Sequence, residues 1–361
     1  MFKPTYKFTI GSATFDSTQD PNTQIISIEL QISMAPVMDF AKIVVGSINK
    51  PEGGLVGQAI AAGGTSGASG EINGTTVNVG DNLTIELGHE NNLTQVFAGI
   101  LSEIEPSVNT VVFMGSNGAD NMTKTRINQT YQNQSAGQIV SDLAGQVNAE
   151  IDVAENGIDF PFYIVDDRKH VFQHAVELAA KSGLDLYVTP ENQFTMRKFQ
   201  KTRADHTFSY GEDIIEVQIF QGSPVAGNIL VSGESPASSQ GNDAWHWFAK
   251  DSSAFQGSAG EGNALLIQES SIRTKEGADT YAAGKLDLVT RAATHGRIVI
   301  VGKPEVRLGD AIAIEGVPTE SLNGLFQVRR VRHQLSKIRG FTTTIDFIAA
   351  EGGGGTLGGL M

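Results

Sequence analysis

The sequence predicts a mainly β protein of the α+β class, with two tandem antiparallel β-barrels and an α/β module inserted between them. Three observations predict this architecture. Short apolar runs alternate with a period of two in both halves of the chain. Glycine is frequent, at 41 of 361 residues, and clusters in loops, as expected for a protein with many turns. One pattern of strands also occurs twice.

The repeat is clearest in two segments that begin with Gly-Asp. One begins at Gly309 with GDAIAIE, continues as LFQVRRVRHQL and closes on GFTTTIDF. The other begins at Gly80 with GDNLTIE, continues as VFAGILSEI and closes on VVFMG. In both copies the Asp precedes a Phe by 16 positions, at Phe97 and Phe326, which gives an offset of 229.

A second pair of matches lies upstream of each copy. IELQI (28–32) and KIVVG (42–46) match IEVQI (215–219) and ILVSG (229–233) at an offset of 187. Because the two offsets differ by 42 (229 − 187), we expect the second copy to be interrupted between its halves. Chance resemblance of short alternating runs is the alternative. Four matches in order, in two constant registers, favour a duplication.

Alternation and β-branched content predict the strands of the first copy, which are residues 7–11, 24–32, 41–46, 83–87, 94–104 and 110–115. Residues 51–80 between them are rich in Gly, Ala, Ser and Thr and predict an exposed excursion.

The period then changes from two to that of a helix. Ser135 and Gln138 form a capping box, followed by apolar residues at helical spacing up to Val147. A second helix is predicted over about 169–181, with Gly183 as its C-cap. Strands at 184–188 and 194–198 form a hairpin. Later in the chain, a third helix is predicted over about 277–290 and a strand over 297–301.

These elements predict five segments. They are a first barrel (1–118), an α/β module (119–205), a second barrel (206–232 with 297–350), an insertion with tryptophans and a helix (233–296) and a flexible Gly-rich tail (351–361).

Composition excludes several classes of protein. Acidic residues outnumber basic ones by 40 to 26, so a surface that follows nucleic-acid phosphates is not expected. The chain has no cysteine, which excludes disulfides and thiolate chemistry. No window approaches the roughly 18 apolar residues of a membrane span, and the first residues alternate like a strand rather than like a signal peptide.

Candidate catalytic and metal-binding residues are few. His170 and His174 lie four residues apart on the second predicted helix, with Glu177, Asp166 and Asp167 nearby, which suggests a zinc site. The segment lacks the Glu of H-E-x-x-H, and solvated polar residues of a helix are the alternative. No nucleophile elbow, Walker loop or dinucleotide fingerprint is present in a supporting context. We therefore predict no enzyme activity and no cofactor.

Five residues are candidates for contacts with a partner. Trp245 and Trp247 lie in the polar insertion, where they either anchor a partner or hold the insertion on its own domain. Arg329 and Arg330 lie near the last hairpin and are either solvated edge charges or contacts to an acidic neighbour. Phe97 lies on a strand crowded with apolar residues, for which burial by a neighbouring subunit is one solution.

Four stretches carry a resemblance that spans nearly the whole chain. They are Val96–Ile100 (VFAGI), Gln129–Ala144 (QTYQNQSAGQIVSDLA), Phe172–Val188 (FQHAVELAAKSGLDLYV) and Gly309–His333, with its GD and G-x-F-x-V patterns. In this order they resemble the baseplate hub family of contractile phage tails. That family includes the late-control D proteins and the hub portion of type VI secretion spike proteins.

The resemblance implies two tandem tube-type β-barrels per subunit and a homotrimer. Six barrels in a ring would let a threefold object dock on a sixfold tail tube. The implied partners are the tail tube ring, a central spike protein, and tape-measure and baseplate wedge proteins. The implied place is the virion tail baseplate, assembled in the host cytoplasm, or an equivalent injection device. We expect the spike to be a separate protein, since no needle or lysozyme-like segment follows the repeat.

Two other functions are considered. One is a cell-wall-degrading enzyme at the particle tip, and the other is a carbohydrate-binding β-protein that uses the tryptophans. A hub should form trimers, whereas a monomer with hydrolytic turnover would favour the enzyme. If the ring conducts DNA or protein, we expect its inner wall to be neutral or negative.

Overall fold

The computed structural model describes residues 3–18, 25–34, 39–46, 69–72, 75–90, 92–107, 109–234 and 255–352. Strands make up most of these residues, which confirms the mainly β class. Among the described residues, no helix combines the length and the hydrophobicity needed to cross a bilayer.

The first β-unit contains nine strands. They are β1 (Pro4–Ile10), β2 (Ala13–Asp16), β3 (Ile25–Ser33), β4 (Phe40–Gly46), β5 (Ser69–Ile72), β6 (Thr75–Asn78), β7 (Asn82–His89), β8 (Asn92–Pro106) and β9 (Thr110–Ser116).

The α/β module follows the first unit. Its elements are α1 (Ala119–Lys124), β10 (Gln129–Ser135), α2 (Ala136–Gln146), β11 (Glu150–Ala154), β12 (Asp159–Val165), α3 (Val171–Lys181), β13 (Asp185–Val188) and β14 (Gln193–Arg197).

The remaining elements form the second β-unit and its insertion. The second unit comprises β15 (His206–Ser209), β16 (Ile214–Gln221), β20 (Thr294–Val301), β21 (Ala311–Glu315), β22 (Gly324–Ser336) and β23 (Gly340–Ala349). The insertion comprises β17 (Asn228–Ser232), β18 (Gln256–Gly260), β19 (Ala264–Gln268) and α4 (Lys275–Ala292).

Seven strands of the first unit and all six of the second form one sheet of 13 strands, with the order β16-β20-β23-β22-β3-β4-β9-β8-β7-β1-β2 and with β21 and β15 branching from β22, whereas β5 and β6 form a separate hairpin. The units meet where β22 pairs antiparallel with β3, from Arg330 opposite Ser33 to Ser336 opposite Ser27. We call this pairing the seam. Each unit has its own apolar core, so the sheet must fold over on itself on both sides of the seam. The described strands leave the path open, and closure into two barrels stays a prediction.

The two units have the same strand order. Across the sheet, the first unit has the order β3-β4-β9-β8-β7. The second unit has the equivalent order β16-β20-β23-β22-β21, so strands that correspond along the chain also correspond across the sheet. The sixth strand differs, because β1 pairs antiparallel with β7 whereas β15 pairs parallel with β21.

The Gly-Asp turn has the same hydrogen bonds in both units. Gly80 and Gly309 both have positive φ, at 98° and 78°, which favours glycine. The Asp81 carboxylate accepts the N–H of the residue three positions before it at 2.8 Å, and Asp310 does the same at 2.7 Å. The Asp main-chain oxygen accepts from Leu101 in one unit and from Val328 in the other.

Two β-bulges also recur at equivalent places. One lies between Ile25 and Ser27 and recurs between Ile214 and Glu216. The other lies between Leu101 and Glu103 and recurs between Val328 and Arg330. Bulges fix the pairing register, so these shared features support an internal duplication more strongly than the sequence matches do.

The repeat registers read from the sequence need correction. The offset of 229 holds at the Gly-Asp turn, but on the next strand Leu101 is equivalent to Val328, an offset of 227. The bulge makes Ile25 equivalent to Ile214, an offset of 189 rather than 187. In each case the offset read from the sequence differs from the structural offset by two residues. A slip of two keeps every side chain on the same face of a strand, so alternation cannot detect it.

The match of residues 42–46 to 229–233 is wrong. The counterpart of β4 is β20, because β4 lies between β3 and β9 and β20 lies between the equivalent strands β16 and β23. Residues 228–232, assigned to the second barrel from the sequence, form β17 in a separate sheet with β18 and β19. That sheet and α4 share one apolar core with the α/β module.

Helix ends in the module follow their capping residues. The Ser135 hydroxyl accepts the Gln138 N–H at 3.2 Å, and the Gln138 side chain accepts the Ser135 N–H at 3.0 Å, so the predicted capping box is confirmed. Gly183 follows α3 with φ +67°, as expected at a helix end. There α4 crosses very closely, since a Cβ on Gly284 would lie 2.5 Å from the Gly183 Cα.

Candidate assembly surface

The seam is a hydrogen-bonded joint between the two units. Met34 donates its N–H to the Arg329 carbonyl at 2.9 Å, and the Arg332 guanidinium donates to Glu29 at 2.5 Å. The ring of His333 is buried opposite Leu30 and shares a hydrogen bond of 2.9 Å with the Thr343 hydroxyl. Burial lowers the pKa of His333 to about 3, because the charged form would lose its hydration.

Eight strands form a continuous face directed away from the two cores. The paired registers place nine charged residues on this face, which are Lys42, Arg297, Arg330, Arg332, Glu29, Glu103, Glu105, Glu216 and Asp346. Four are basic and five are acidic, so their formal charges nearly cancel.

Several of these charges are paired within the chain. Asp346 accepts from Arg297 at 2.6 Å and from Arg330 at 3.1 Å. Such half-exposed pairs contribute little stability, about 0–1 kcal/mol each. Their effect is to reduce the positive potential of the arginines, although Arg297 and Arg330 share one carboxylate. The near-neutrality of the face comes from the sum of all nine charges.

A polar cluster fixes the module against the second unit. Arg329, the extra residue of the second bulge, donates to the Asp185 carboxylate. Gln327 donates to the same carboxylate at 2.6 Å and accepts from Arg291 at 2.7 Å. Arg291 in turn pairs with Asp287 at 2.9 Å. The cluster therefore joins β22, β13 and α4, and no local sequence pattern links residues so far apart.

The predicted contact residues have mixed outcomes. Arg329 and Arg330 lie on an interior strand of the sheet rather than at its edge, and each pairs with an acidic residue of its own chain. Their contact with an acidic neighbour stays a prediction. Phe97 is 2% exposed in the core of the first unit, so its prediction as an interface residue is wrong. A side chain already covered by its own chain has no surface for a neighbour. Trp245 and Trp247 lie outside the described residues, and their role stays a prediction.

The two histidines have structural partners instead of a shared metal site. His170 is the N-cap of α3, and its ring accepts the Gln173 N–H at 3.0 Å. His174 is buried, and its ring lies 3.1 Å from the Asp166 carbonyl and 3.5 Å from the Tyr163 hydroxyl. Within the described ranges, no group of three or more His, Cys, Asp or Glu residues could hold a metal ion.

No protein-family model and no curated protein sequence matches the chain. Solved structures do match. The 43 kDa tail protein of prophage MuSo2 from Shewanella oneidensis has a TM-score of 0.69 at 12% identity, over 96% of this chain and 99% of that one. A tail protein from Neisseria meningitidis has a TM-score of 0.66 at 10% identity, over 96% of each chain.

A third match is an Escherichia coli component of the type VI secretion system, described as structurally similar to the T4 bacteriophage tail proteins gp27 and gp5. Its TM-score is 0.58 at 9% identity, over 97% of this chain and 79% of that one. The similarity covers the whole architecture in each case, including both units and the material between them. The chain therefore has the fold of phage tail proteins and of related type VI secretion proteins.

Proposed function

We propose that the chain is a structural subunit of the baseplate hub in a phage tail or a phage-derived injection device. In this proposal it acts as a homotrimer that adapts a threefold central spike to a sixfold tail tube. The role is mechanical rather than enzymatic. The fold shared with tail and type VI secretion proteins supports the class of function.

The internal duplication carries the adaptor proposal. Two units with the same strand order, the same two bulges and the same Gly-Asp turn stand edge to edge in one chain. A chain with two similar units can occupy two positions of a ring. Three copies related by a threefold axis then supply six similar units.

The differences between the units provide the threefold character. In the second unit, residues 222–293 separate β16 from β20, whereas only residues 34–39 separate β3 from β4 in the first. The module and insertion therefore occur once per pair of units. A ring of three chains would present six similar sheets on one surface and three copies of the module on another.

The face directed away from the cores suits the wall of a channel. Its four basic and five acidic residues give it almost no net charge, and its arginines are paired. A wall of this kind would not retain DNA or an extended tape-measure protein, since phosphate binding requires unpaired cations. We propose that this face lines the ring and that the module faces outward, toward spike and wedge proteins of the baseplate.

Sedimentation of the full-length protein, alone and with the spike protein of the same particle, tests this function. The expected result is a species of three copies that binds the spike, and imaging of the intact particle should locate it between tube and spike. A stable complex of one copy with one spike chain, with no threefold species, would contradict the adaptor proposal.

A further inference from the structure

Several strand edges of the large sheet have no partner among the described residues, including those of β2 and β15. Two of them lie at the ends of the eight-strand face described above. β16 is the last strand at one end. Among the described residues it pairs with β20, and its only other backbone partner is Tyr210, which forms a single bridge with Ile214 at the start of the strand. The final residues of β8, Glu103 to Pro106, pair only with β9. Open edges of this kind are templates for pairing with another chain.

The β16 edge is incomplete in its burial as well. Val217 and Ile219 point toward the core of the second unit but are only half-buried. Their equivalents in the first unit, Ile28 and Leu30, are 0% and 1% exposed because β22 covers that edge at the seam. β16 therefore has the apolar inner face of a central strand, but the described part of the chain provides no strand to pair with its outer edge.

At both edges, the residues whose backbone N–H and C=O groups point away from the sheet can be identified from the hydrogen bonds of their neighbours. Gly222 donates its N–H inward to Ala293 at 2.8 Å, and Ser107 donates inward to Thr110 at 2.7 Å. Backbone groups alternate in direction along a strand, so Ile219 and Gln221 of β16 point outward. On β8, by the same alternation, Ile104 and the carbonyl of Pro106 point outward.

We propose that these two edges form the interface between copies, with β16 of one subunit paired antiparallel to the end of β8 of the next. The seam supplies the register, because β8 and β16 are the counterparts of β22 and β3. Applying the offsets of 227 and 189 to the pairs of the seam gives the interface pairs, which are Glu103–Gly222, Ile104–Gln221, Glu105–Phe220 and Pro106–Ile219. This proposal rests on the proposed hub function and specifies how its subunits join.

Applying the same two offsets to the hydrogen bonds of the seam gives the hydrogen bonds of the interface between copies. Ile104 and Gln221 exchange two bonds, as Val331 and Ile32 are aligned to do in the seam. Ile219 donates to the Pro106 carbonyl, and Ser223 donates to Ser102, as Met34 donates to Arg329. Pro106 has no N–H to give, so the ladder ends there.

The interface between copies differs from the seam in length and in charge. The seam has seven residue pairs, whereas the interface has four. The seam ion pair between Arg332 and Glu29 is replaced by Glu105 and Gln218. The interface is therefore the weaker joint, and subunits should separate before the two units of one chain do.

The absence of cysteine allows a direct test by disulfide cross-linking. Glu105→Cys combined with Phe220→Cys places two thiols at a facing pair that is not hydrogen-bonded, where Cα atoms lie about 4.5 Å apart and a disulfide fits. Both native side chains are exposed, and Phe220 is 58% exposed, so the fold should tolerate the changes. Glu105→Cys with Gln218→Cys is the matched control, because it shifts one thiol by two residues to about 7–8 Å.

The expected result is covalent dimers and trimers of the 105/220 variant on non-reducing gels, and few with the 105/218 control. The pair Gln31→Cys and Arg332→Cys, which face each other in the seam, should cross-link within one chain and calibrates the reaction. Phe220→Asp should leave the circular dichroism spectrum unchanged and weaken association at least tenfold.

Two results would overturn the proposal. Equal cross-linking in the 105/218 control would mean that the register is wrong. Absence of cross-links in a protein that sediments as a trimer would place the interface elsewhere and leave the hub function standing. A protein that stays monomeric with its spike at all concentrations would instead contradict the hub function itself.

Discussion

Replacing Gly284 with Ala should destabilise the protein, although Ala is the better helix former. Gly284 lies within α4, where Ala in place of Gly normally adds about 1 kcal/mol to helix stability. The added Cβ would lie 2.5 Å from the Cα of Gly183, however, and carbon atoms pack at about 3.5–4.0 Å. The obstacle is main chain, so no side-chain rotation relieves it.

The magnitude follows from the two opposing terms. α4 would have to move by about 1 Å from the end of α3, and overpacking of this kind costs about 1–3 kcal/mol. Subtracting the gain in helix propensity leaves a net loss of up to about 2 kcal/mol. The loss should be local, with faster amide exchange in α4 and in the β17 and β18 strands that it covers.

Gly145 provides the matched control. It lies in α2, and a Cβ there would meet nothing within 4 Å. Gly145→Ala should therefore raise the free energy of unfolding by about 0.5–1 kcal/mol. Urea denaturation followed by circular dichroism compares both variants with the wild type. A Gly284→Ala protein that is more stable than the wild type, as Gly145→Ala should be, would refute the proposed main-chain contact.

Three further predictions test the cores, the seam and the polar cluster. Phe97→Ala should lower the free energy of unfolding by about 3–5 kcal/mol, whereas Phe220→Ala should change it by less than about 0.5 kcal/mol; similar losses in urea denaturation would contradict the burial difference. Between about pH 6.5 and pH 3 the unfolded chain binds a proton that buried His333 does not, so the free energy of unfolding should decrease as the pH is lowered, by at most about 1.4 kcal/mol per pH unit. His333→Gln should flatten that part of the stability profile, and an unchanged profile would contradict the assignment. Asp185→Ala should cost about 1–3 kcal/mol by removing the carboxylate that accepts from buried Gln327 and half-buried Arg329, against about 0–1 kcal/mol for Lys275→Ala at an exposed helix pair, and equal thermal shifts would count against the cluster.

Much of the local structure was predictable because it depends on neighbouring residues. The capping box at Ser135 begins α2 where the sequence places it, and the helix predicted over about 169–181 is observed at Val171–Lys181. The Gly-Asp turns are identifiable because only glycine readily adopts the backbone conformation required there. α1 was missed, since six residues carry too little periodicity to distinguish a helix from a turn.

The assembly of these elements was less accessible. β17 alternates like a strand of the large sheet, yet it pairs parallel with β19 and covers the module core. Alternation shows which face of a strand is buried, but it does not show which other element that face packs against. The Asp185 cluster shows the same limit, since residues 142 and 144 positions apart meet there. The open edge of β16 also depends on tertiary structure, since Val217 and Ile219 are half-buried whereas their counterparts on β3 are fully buried.

The seam also means that β3 cannot pair fully until most of the chain has been synthesised. β3 is made early, but the strand that covers it begins pairing at Arg330, which follows Ser33 by 297 residues (330 − 33). At about 5–20 residues per second, the ribosome leaves that edge uncovered for roughly 15–60 s. During this interval the β3 edge of the nascent first unit is open, as the β16 edge is in the finished chain. Other nascent chains on the same messenger RNA have the same open edge. Chaperone occupancy of the first unit should therefore last until residue 336 has left the ribosomal tunnel.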